Sequence, residues 1–158
     1  MNHWIILPIL LPAIIAPLVA LTMRYDVVLA RVFSFASAAG LLAFALILTV
    51  AATDGRIEHY ALGDWAAPFG IVLVLDRLSA LMLLLTALLA FMVLLYAVNG
   101  WDRRGRHFHS LFQFQLMGIN GAFLTGDFFN LFVFFEVLLI ASYGLMVHGG
   151  GEARVRAG

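Results

Sequence analysis

Hydrophobic residues are gathered into long stretches separated by short polar or glycine-containing segments. A transmembrane helix needs about 20 apolar residues to cross about 30 Å of hydrocarbon, and five stretches are long enough. We therefore predict an all-α, polytopic transmembrane helix bundle that forms a single domain over residues 1–158. The five predicted spans are residues 4–23, 32–52, 77–98, 107–125 and 128–147. The first stretch is too long for the hydrophobic region of a signal peptide, and we take it as the first span.

The segment between the second and third spans has a different pattern. Residues 57–62 and 71–75 are short and rich in β-forming residues, and turn signals stand between them at 63–64 and 68–70. This pattern predicts two strands of an external hairpin. The third span then begins after Asp76, which can cap a helix N-terminus.

Arginines are concentrated on one side of the predicted bundle. Cytoplasmic loops of membrane proteins are enriched in Lys and Arg, so this side is predicted to be cytoplasmic and the N-terminus external, in a bacterial plasma or inner membrane. The cytoplasmic side carries Arg24, Arg31, Arg103, Arg104, Arg106, Arg154 and Arg156, and the external side carries Arg56 and Arg77.

The composition excludes several classes of function. The chain is 64% hydrophobic and 11% charged, which is typical of integral membrane proteins rather than soluble domains. Its net charge is zero and it has no lysine, so nothing indicates nucleic-acid binding. Without cysteine there are no thiolate metal sites or iron–sulfur clusters, and the five histidines lie at predicted helix ends rather than opposed within helices, as a membrane haem requires. We expect no cofactor and no metal.

Glu136 is the residue that most needs a function. It lies within the otherwise uncharged stretch 130–145, nine residues after the predicted helix cap Asp127, or about 13 Å along a helix. A carboxyl at mid-membrane costs about 2.5–3.5 kcal/mol on insertion scales, so we expect a proton relay. Tyr143, one heptad later, could share a polar path with it. The alternative is a protonated carboxyl that only hydrogen-bonds between helices.

No cation of this chain is predicted to lie at the depth of Glu136. The arginines fall in loops or, for Arg77, at the outer end of a span. A carboxylate relay needs a neighbouring positive charge to become switchable. Any such partner of Glu136 must then come from helices outside this sequence or from another subunit.

The fourth span carries two polar residues and a row of small ones. Gln113 and Asn120 are seven residues apart, so they share a helix face that must contact protein or water. They either form interhelical hydrogen bonds or line a hydrated path. Gly118, Ala122 and Gly126 recur every four residues, which predicts a close approach of another helix.

Histidines and arginines are interleaved just before the fourth span. His107 and His109 stand beside three arginines, which predicts a solvated cytoplasmic rim that helps to set the topology. Proton uptake by these histidines is the alternative.

Three prolines fall within the first span, at Pro8, Pro12 and Pro17. Each removes a backbone donor, so this helix is predicted to be kinked or loosely wound. Proline is tolerated in membrane helices, and we interpret the first span as a lipid-facing helix without a specific function.

Residues 112–136, FQFQLMGINGAFLTGDFFNLFVFFE, and the following VLLIASYGL resemble the D subunit of Mrp-type (Mnh, Pha) multisubunit sodium/proton antiporters. Residues 70–81, GIVLVLDRLSAL, resemble the start of that subunit's third helix. The antiporter-like subunits of respiratory complex I share the mid-membrane glutamate, but the GDFFN sequence at 126–130 favours the antiporter branch. The resemblance covers only the opening part of these subunits, which have about fourteen helices, so we expect an N-terminal part of a longer subunit.

The resemblance implies that Glu136 is the family's essential fifth-helix glutamate, which pairs with a lysine on a later helix. It implies a multisubunit antiporter of Na⁺ or another monovalent cation and protons, with other membrane subunits as partners. Gln113, Asn120, Tyr143, Asp127 and His107 are secondary candidates for the proton path. Two alternatives stay open: a proton-pumping subunit of a complex I-like NADH dehydrogenase or membrane hydrogenase, and a purely structural subunit.

Overall fold

A computed structural model describes residues 3–23, 25–65, 70–151 and 155–156. The described residues form five α-helices, four short 3₁₀ segments and one two-stranded sheet. The helices are α1 (Leu7–Thr22), which a 3₁₀ turn precedes at His3–Ile6, α2 (Val27–Ala51), α3 (Arg77–Ala97), α4 (Phe108–Leu124) and α5 (Phe128–Met146). The strands are β1 (Glu58–Ala61) and β2 (Val72–Leu75). The all-α bundle with a hairpin between the second and third helices is confirmed.

Aspartate side chains fix where three of the helices begin. Asp76 accepts a hydrogen bond from Ser79 N at 2.7 Å and Asp127 accepts one from Asn130 N at 2.7 Å, which confirms both as helix caps. Asp26 does the same for α2 with Leu29 N at 3.0 Å. α2 therefore begins at Val27, before the predicted start of the second span at residue 32, and Arg31 lies inside α2 rather than in the predicted loop.

The predicted hairpin is present between α2 and α3. Its strands pair antiparallel, with Glu58 opposite Leu75 and Ala61 opposite Val72. Of the two turn signals, residues 63–64 form a turn after β1 with φ values of 64° and 56°, whereas Pro68 and Phe69 of the second lie outside the described residues. Leu73 and Leu75 are buried, so the hairpin packs against one end of the bundle.

The chain alternates between two ends of the bundle. At the hairpin end, the hairpin contacts the 3₁₀ turn before α1 and the α4–α5 turn, since His3 Nδ1 lies 3.2 Å from the Tyr60 hydroxyl and Gly126 N donates to Val72 O at 2.8 Å. At the opposite end, the α3–α4 connection contacts α2 through Arg31 and the segment after α5 through His148. We call this the arginine-rich end, because Arg31, Arg103, Arg104 and Arg106 belong to it; Arg24 and Arg154 lie outside the described residues.

The helices differ in their suitability for crossing a membrane. Within the described part of the chain, four helical segments are long and apolar enough, and they contain α1, α2, α3 and α5. The fourth predicted span, α4, has 17 residues, or about 25 Å of helix, and carries buried Gln113 and Asn120. It packs most extensively against α1 and α5, so its polar residues are shielded by neighbouring helices.

Candidate functional site

Glu136 lies on a face of α5 that the other helices leave uncovered. Its side chain is exposed in this chain, together with Phe132, Ile140 and Tyr143, which follow the same helical face. Tyr143 is 55% exposed. It lies on the same helix face as Glu136, as their spacing of seven residues predicts. We call these four residues the outward face of α5. The other four helices of this chain therefore do not supply the burial expected for Glu136.

The opposite face of α5 packs against α4 through glycines. A Cβ atom at Gly118 would lie 2.9 Å from the backbone nitrogen of Leu138, and one at Gly144 would lie 2.9 Å from the Leu111 side chain. Gly121 is covered by the Phe134 ring. The small-residue contact predicted from sequence is thus correct at Gly118, but its second position is Gly121 rather than Ala122. Gly126 belongs to the α4–α5 turn.

Glu136 has no cationic partner within this part of the protein. Among the described residues, Glu136 makes no hydrogen bond or ion pair, and the basic side chains of α2 and α4, Arg31 and His109, contact Asp102 instead. Arg77 is at the hairpin end, where its guanidinium donates to Thr53 O at 2.8 Å. A counter-charge for Glu136 would have to approach from the outward face of α5.

Asn120 joins α4 to the proline-containing helix α1. Its Nδ2 donates to Pro8 O at 2.8 Å. That carbonyl would normally accept from residue 12, but Pro12 has no N–H to donate. Pro8 and Pro12 are fully buried, so the prediction of a lipid-facing proline helix is wrong at these positions. The Pro8 carbonyl therefore accepts a hydrogen bond from α4 rather than from within α1.

Gln113 joins α4 to α2. It is fully buried, and its Oε1 accepts a hydrogen bond from Ser37 Oγ at 2.8 Å. Three nearby polar atoms on the same two helices, Gln113 Nε2, Ser34 Oγ and His109 Nδ1, are buried without a hydrogen-bond partner among the described residues. Gln113 and Asn120 are thus interhelical residues, and they contact α2 and α1 rather than α5.

A charged cluster at the arginine-rich end was not expected from the sequence. Arg31 donates to both carboxylate oxygens of Asp102, at 2.6 and 2.8 Å, and to Val98 O at 2.9 Å. His109 Nε2 lies 3.2 Å from Asp102 Oδ2. His109 is only 4% exposed, so its predicted place in a solvated rim is wrong, whereas His107 is exposed. We call Arg31, Asp102 and His109 the end cluster.

The pKa values of three carboxyl groups outside the membrane-spanning helices, Asp76, Asp102 and Asp127, are lowered. Burial of Asp102 opposes ionisation, but hydrogen bonds and charge attraction from Arg31 and His109 outweigh it and hold the pKa of Asp102 below its usual value. Hydrogen bonds from the Asn130 backbone and side chain lower the pKa of Asp127. The backbone N–H of Ser79 is the largest cause of the lowered pKa of Asp76.

The structure separates the candidates that the sequence placed on one proton path. Asp127 caps α5 at the hairpin end and His107 stands at the arginine-rich end. Glu136 and Tyr143 share the outward face of α5, whereas Gln113 and Asn120 point to other helices. Among the described residues, no group of three or more His, Cys, Asp or Glu could hold a metal ion.

Comparison with curated proteins identifies relatives over the full chain. The D subunit of a probable K⁺/H⁺ antiporter of Rhizobium meliloti is 52% identical over 100% of this chain and 30% of its own length. The D subunit of a Na⁺/H⁺ antiporter of Bacillus subtilis is 43% identical over 99% of this chain and 32% of its own length. The N subunit of an NADH-quinone oxidoreductase of Desulforudis audaxviator is 34% identical over 98% of this chain and 32% of its own length. No family model matches.

Solved structures match in the same way. The Mrp complex from Dietzia sp. contains a chain that superposes with a TM-score of 0.83 at 37% identity, over 93% of this chain and 28% of that one. An archaeal membrane-bound sulfane sulfur reductase matches with a TM-score of 0.89 at 28% identity, over 97% of this chain and 32% of that one. The resemblance to antiporter D subunits is confirmed, and this chain spans about a third of the length of such relatives. The chain is a multi-pass membrane protein.

Proposed function

We propose that this chain belongs to a multisubunit monovalent cation/proton antiporter in which Glu136 relays protons. The chain is homologous over its whole length to the N-terminal part of antiporter D subunits. The observation that carries the proposal is the placement of Glu136 on the uncovered face of an apolar helix. A carboxyl facing lipid at that depth would be costly, so the outward face of α5 is suited to contact further helices.

The relay would work by electrostatics alone. When a cationic side chain from a helix beyond this chain approaches Glu136, the carboxylate is favoured, and when the cation withdraws, the carboxyl binds a proton. Each elementary charge crossing a membrane potential is worth about 2.3 kcal/mol per 100 mV, which is enough to couple opposed ion movements. Tyr143 is the polar neighbour that the outward face offers for proton transfer.

The antiporter assignment is favoured over the complex I-like alternative by the degree of similarity. The two antiporter D subunits are 52% and 43% identical to this chain, against 34% for the NADH-quinone oxidoreductase subunit. The relatives name both K⁺ and Na⁺, so the proposal is a monovalent cation of either kind. Other antiporter subunits and the lipid bilayer would then be the partners of this chain, and a structural role without transport is the outcome that experiment must exclude.

We also propose that the N-terminus and the hairpin face outward and that the arginine-rich end faces the cytoplasm. The arginine distribution supports this orientation. Reporter fusions at Gly63 and Gly150 test it. An external reporter at Gly150, or a cytoplasmic one at Gly63, would overturn it.

The decisive experiment is cation/proton exchange in vesicles that hold the complete complex. Glu136→Gln keeps the size of the side chain and removes its ability to release a proton, so exchange with Na⁺ and with K⁺ should both be lost. Asp54→Asn is the matched control, because Asp54 is an exposed carboxylate near the hairpin end. Full exchange by Glu136→Gln with normal assembly would leave only the structural role.

A further inference from the structure

The first half of α4 faces α2 through a layer of polar side chains. Arg31 and Asp102 connect α2 to His109, and one to two turns further along both helices Ser37 contacts Gln113. Ser34 lies on α2 between these two levels and is fully buried. The polar layer is thus continuous with the end cluster and extends into the bundle.

The hydrogen bonding of His109 is incomplete in either protonation state. When neutral and donating Nε2–H to Asp102, it leaves Nδ1 as a buried acceptor without a partner among the described residues. When protonated, it has a buried Nδ1–H donor in the same place. Ser34 Oγ and Gln113 Nε2 are likewise unsatisfied, and buried groups of this kind are commonly bridged by water.

The surrounding charges make the protonated state of His109 the one that strains the layer. Arg31 from α2 and Asp102 from the α3–α4 connection form a neutral pair when His109 is neutral. The remaining elements bring His148, whose Nε2 lies 3.2 Å from Trp101 O, and two backbone carbonyls, Val98 O for Arg31 and Ala16 O for Ser110. Protonation therefore adds an uncompensated positive charge to a buried site.

The layer is not positioned to deliver protons to Glu136. Gln113 and Asn120 contact α2 and α1, whereas α5 packs on the α4 face formed by Gly118 and Gly121. A proton at His109 would change the contacts at the arginine-rich end rather than supply the relay. The geometry therefore favours regulation over conduction.

We propose that His109 is a regulatory proton-binding site that locks the arginine-rich end when neutral and loosens it when protonated. The locked state joins α2, the end of α3, the α3–α4 connection and α4 through Arg31 and Asp102. A proton on His109 admits water to the polar layer and weakens these contacts, so exchange by the complex falls as the cytoplasmic pH falls. This inference rests on the proposed antiporter function.

The test uses the complete complex and compares His109→Gln with His59→Gln. Glutamine at position 109 can still donate an N–H to Asp102 but cannot take up a proton, so its exchange activity should persist at acid pH. One pH unit below the wild-type acid midpoint, it should retain up to about tenfold more of its maximal exchange than wild type, since one titrating proton changes a population about tenfold per unit. His59 is exposed and lies in β1 at the hairpin end, so His59→Gln should follow the wild-type profile.

Hydrogen–deuterium exchange of residues 99–107 provides a readout independent of transport. After correction for intrinsic rates, wild type should exchange faster at pH 6 than at pH 8, and His109→Gln should show no such difference. Equal rates in wild type at both values, or a His109→Gln profile that superposes on wild type, would overturn the regulatory site. If the His109 site is overturned but Glu136→Gln loses exchange at every pH, the proposed proton relay at Glu136 is still supported. If the wild-type complex shows no exchange, the relay is refuted, but the hydrogen–deuterium exchange test of His109 is not affected.

Discussion

Replacing Asp102 by asparagine tests the end cluster most directly. The Asp102 side chain is fully buried and accepts two hydrogen bonds from Arg31. Its Oδ2 also lies 3.2 Å from His109 Nε2. Removing one partner of a buried ion pair costs about 3–5 kcal/mol, because the other charge stays behind uncompensated. Since the Arg31 side chain is 20% exposed and can reach water, we expect the lower limit, about 3 kcal/mol of unfolding free energy.

The free energy of unfolding can be measured by titrating dodecyl sulfate into mixed micelles and following tryptophan fluorescence. Asp54→Asn, at an exposed carboxylate, should change it by no more than about 0.5 kcal/mol. The double variant Arg31→Met with Asp102→Leu should recover most of the loss, because no unpaired charge remains. A loss below about 1 kcal/mol for Asp102→Asn, or no recovery in the double variant, would refute the account of a buried pair.

Four further predictions concern packing, pH and transport. Gly118→Val should destabilise the bundle by about 1–3 kcal/mol in the same titration, because its side chain meets the backbone of α5. Asn120→Ala should cost about 1–2 kcal/mol, because the Pro8 carbonyl loses its donor. The contribution of Asp102 should be complete above about pH 4 and fall at lower pH, since its folded pKa lies below the unfolded value. The chain reconstituted alone should show no Na⁺- or K⁺-dependent pH change above empty liposomes, because Glu136 lacks a cationic partner among the described residues.

Matched variants separate these predictions from general damage. Ala122→Val adds bulk beside Gly121 on α4 at a half-buried position that lines an open groove, so it should be milder than Gly118→Val. Gln115→Ala removes a side chain whose Oε1 has no partner among the described residues, so it should cost less than Asn120→Ala. The loss of stability as the pH is lowered should be smaller in Asp102→Asn than in wild type. Robust exchange by the chain alone would contradict the need for a partner.

Local sequence determined the elements of this protein. Span lengths follow from runs of apolar residues, and helix starts at Asp76 and Asp127 follow from bonds that reach only three residues along the chain. The hairpin follows from two short β-forming runs. The proposal for Glu136 also starts from the sequence, because one acidic residue in a long apolar run is costly wherever the helix packs. None of these features needs knowledge of a distant contact.

Tertiary structure decided which faces meet. Arg31 and Asp102 are 71 residues apart in the sequence, and the residues that flank each of them give no sign that the two form an ion pair. In that pairing Arg31 lies inside α2 and His109 is buried beside Asp102, where the sequence predicted a loop and a solvated rim. The same holds for α1, where Pro8 and Pro12 are buried and Asn120, 112 residues from Pro8, supplies the missing donor to the Pro8 carbonyl. Helix periodicity gives every residue a face, but only the packing of the helices determines whether that face contacts protein or remains open, as it does around Glu136.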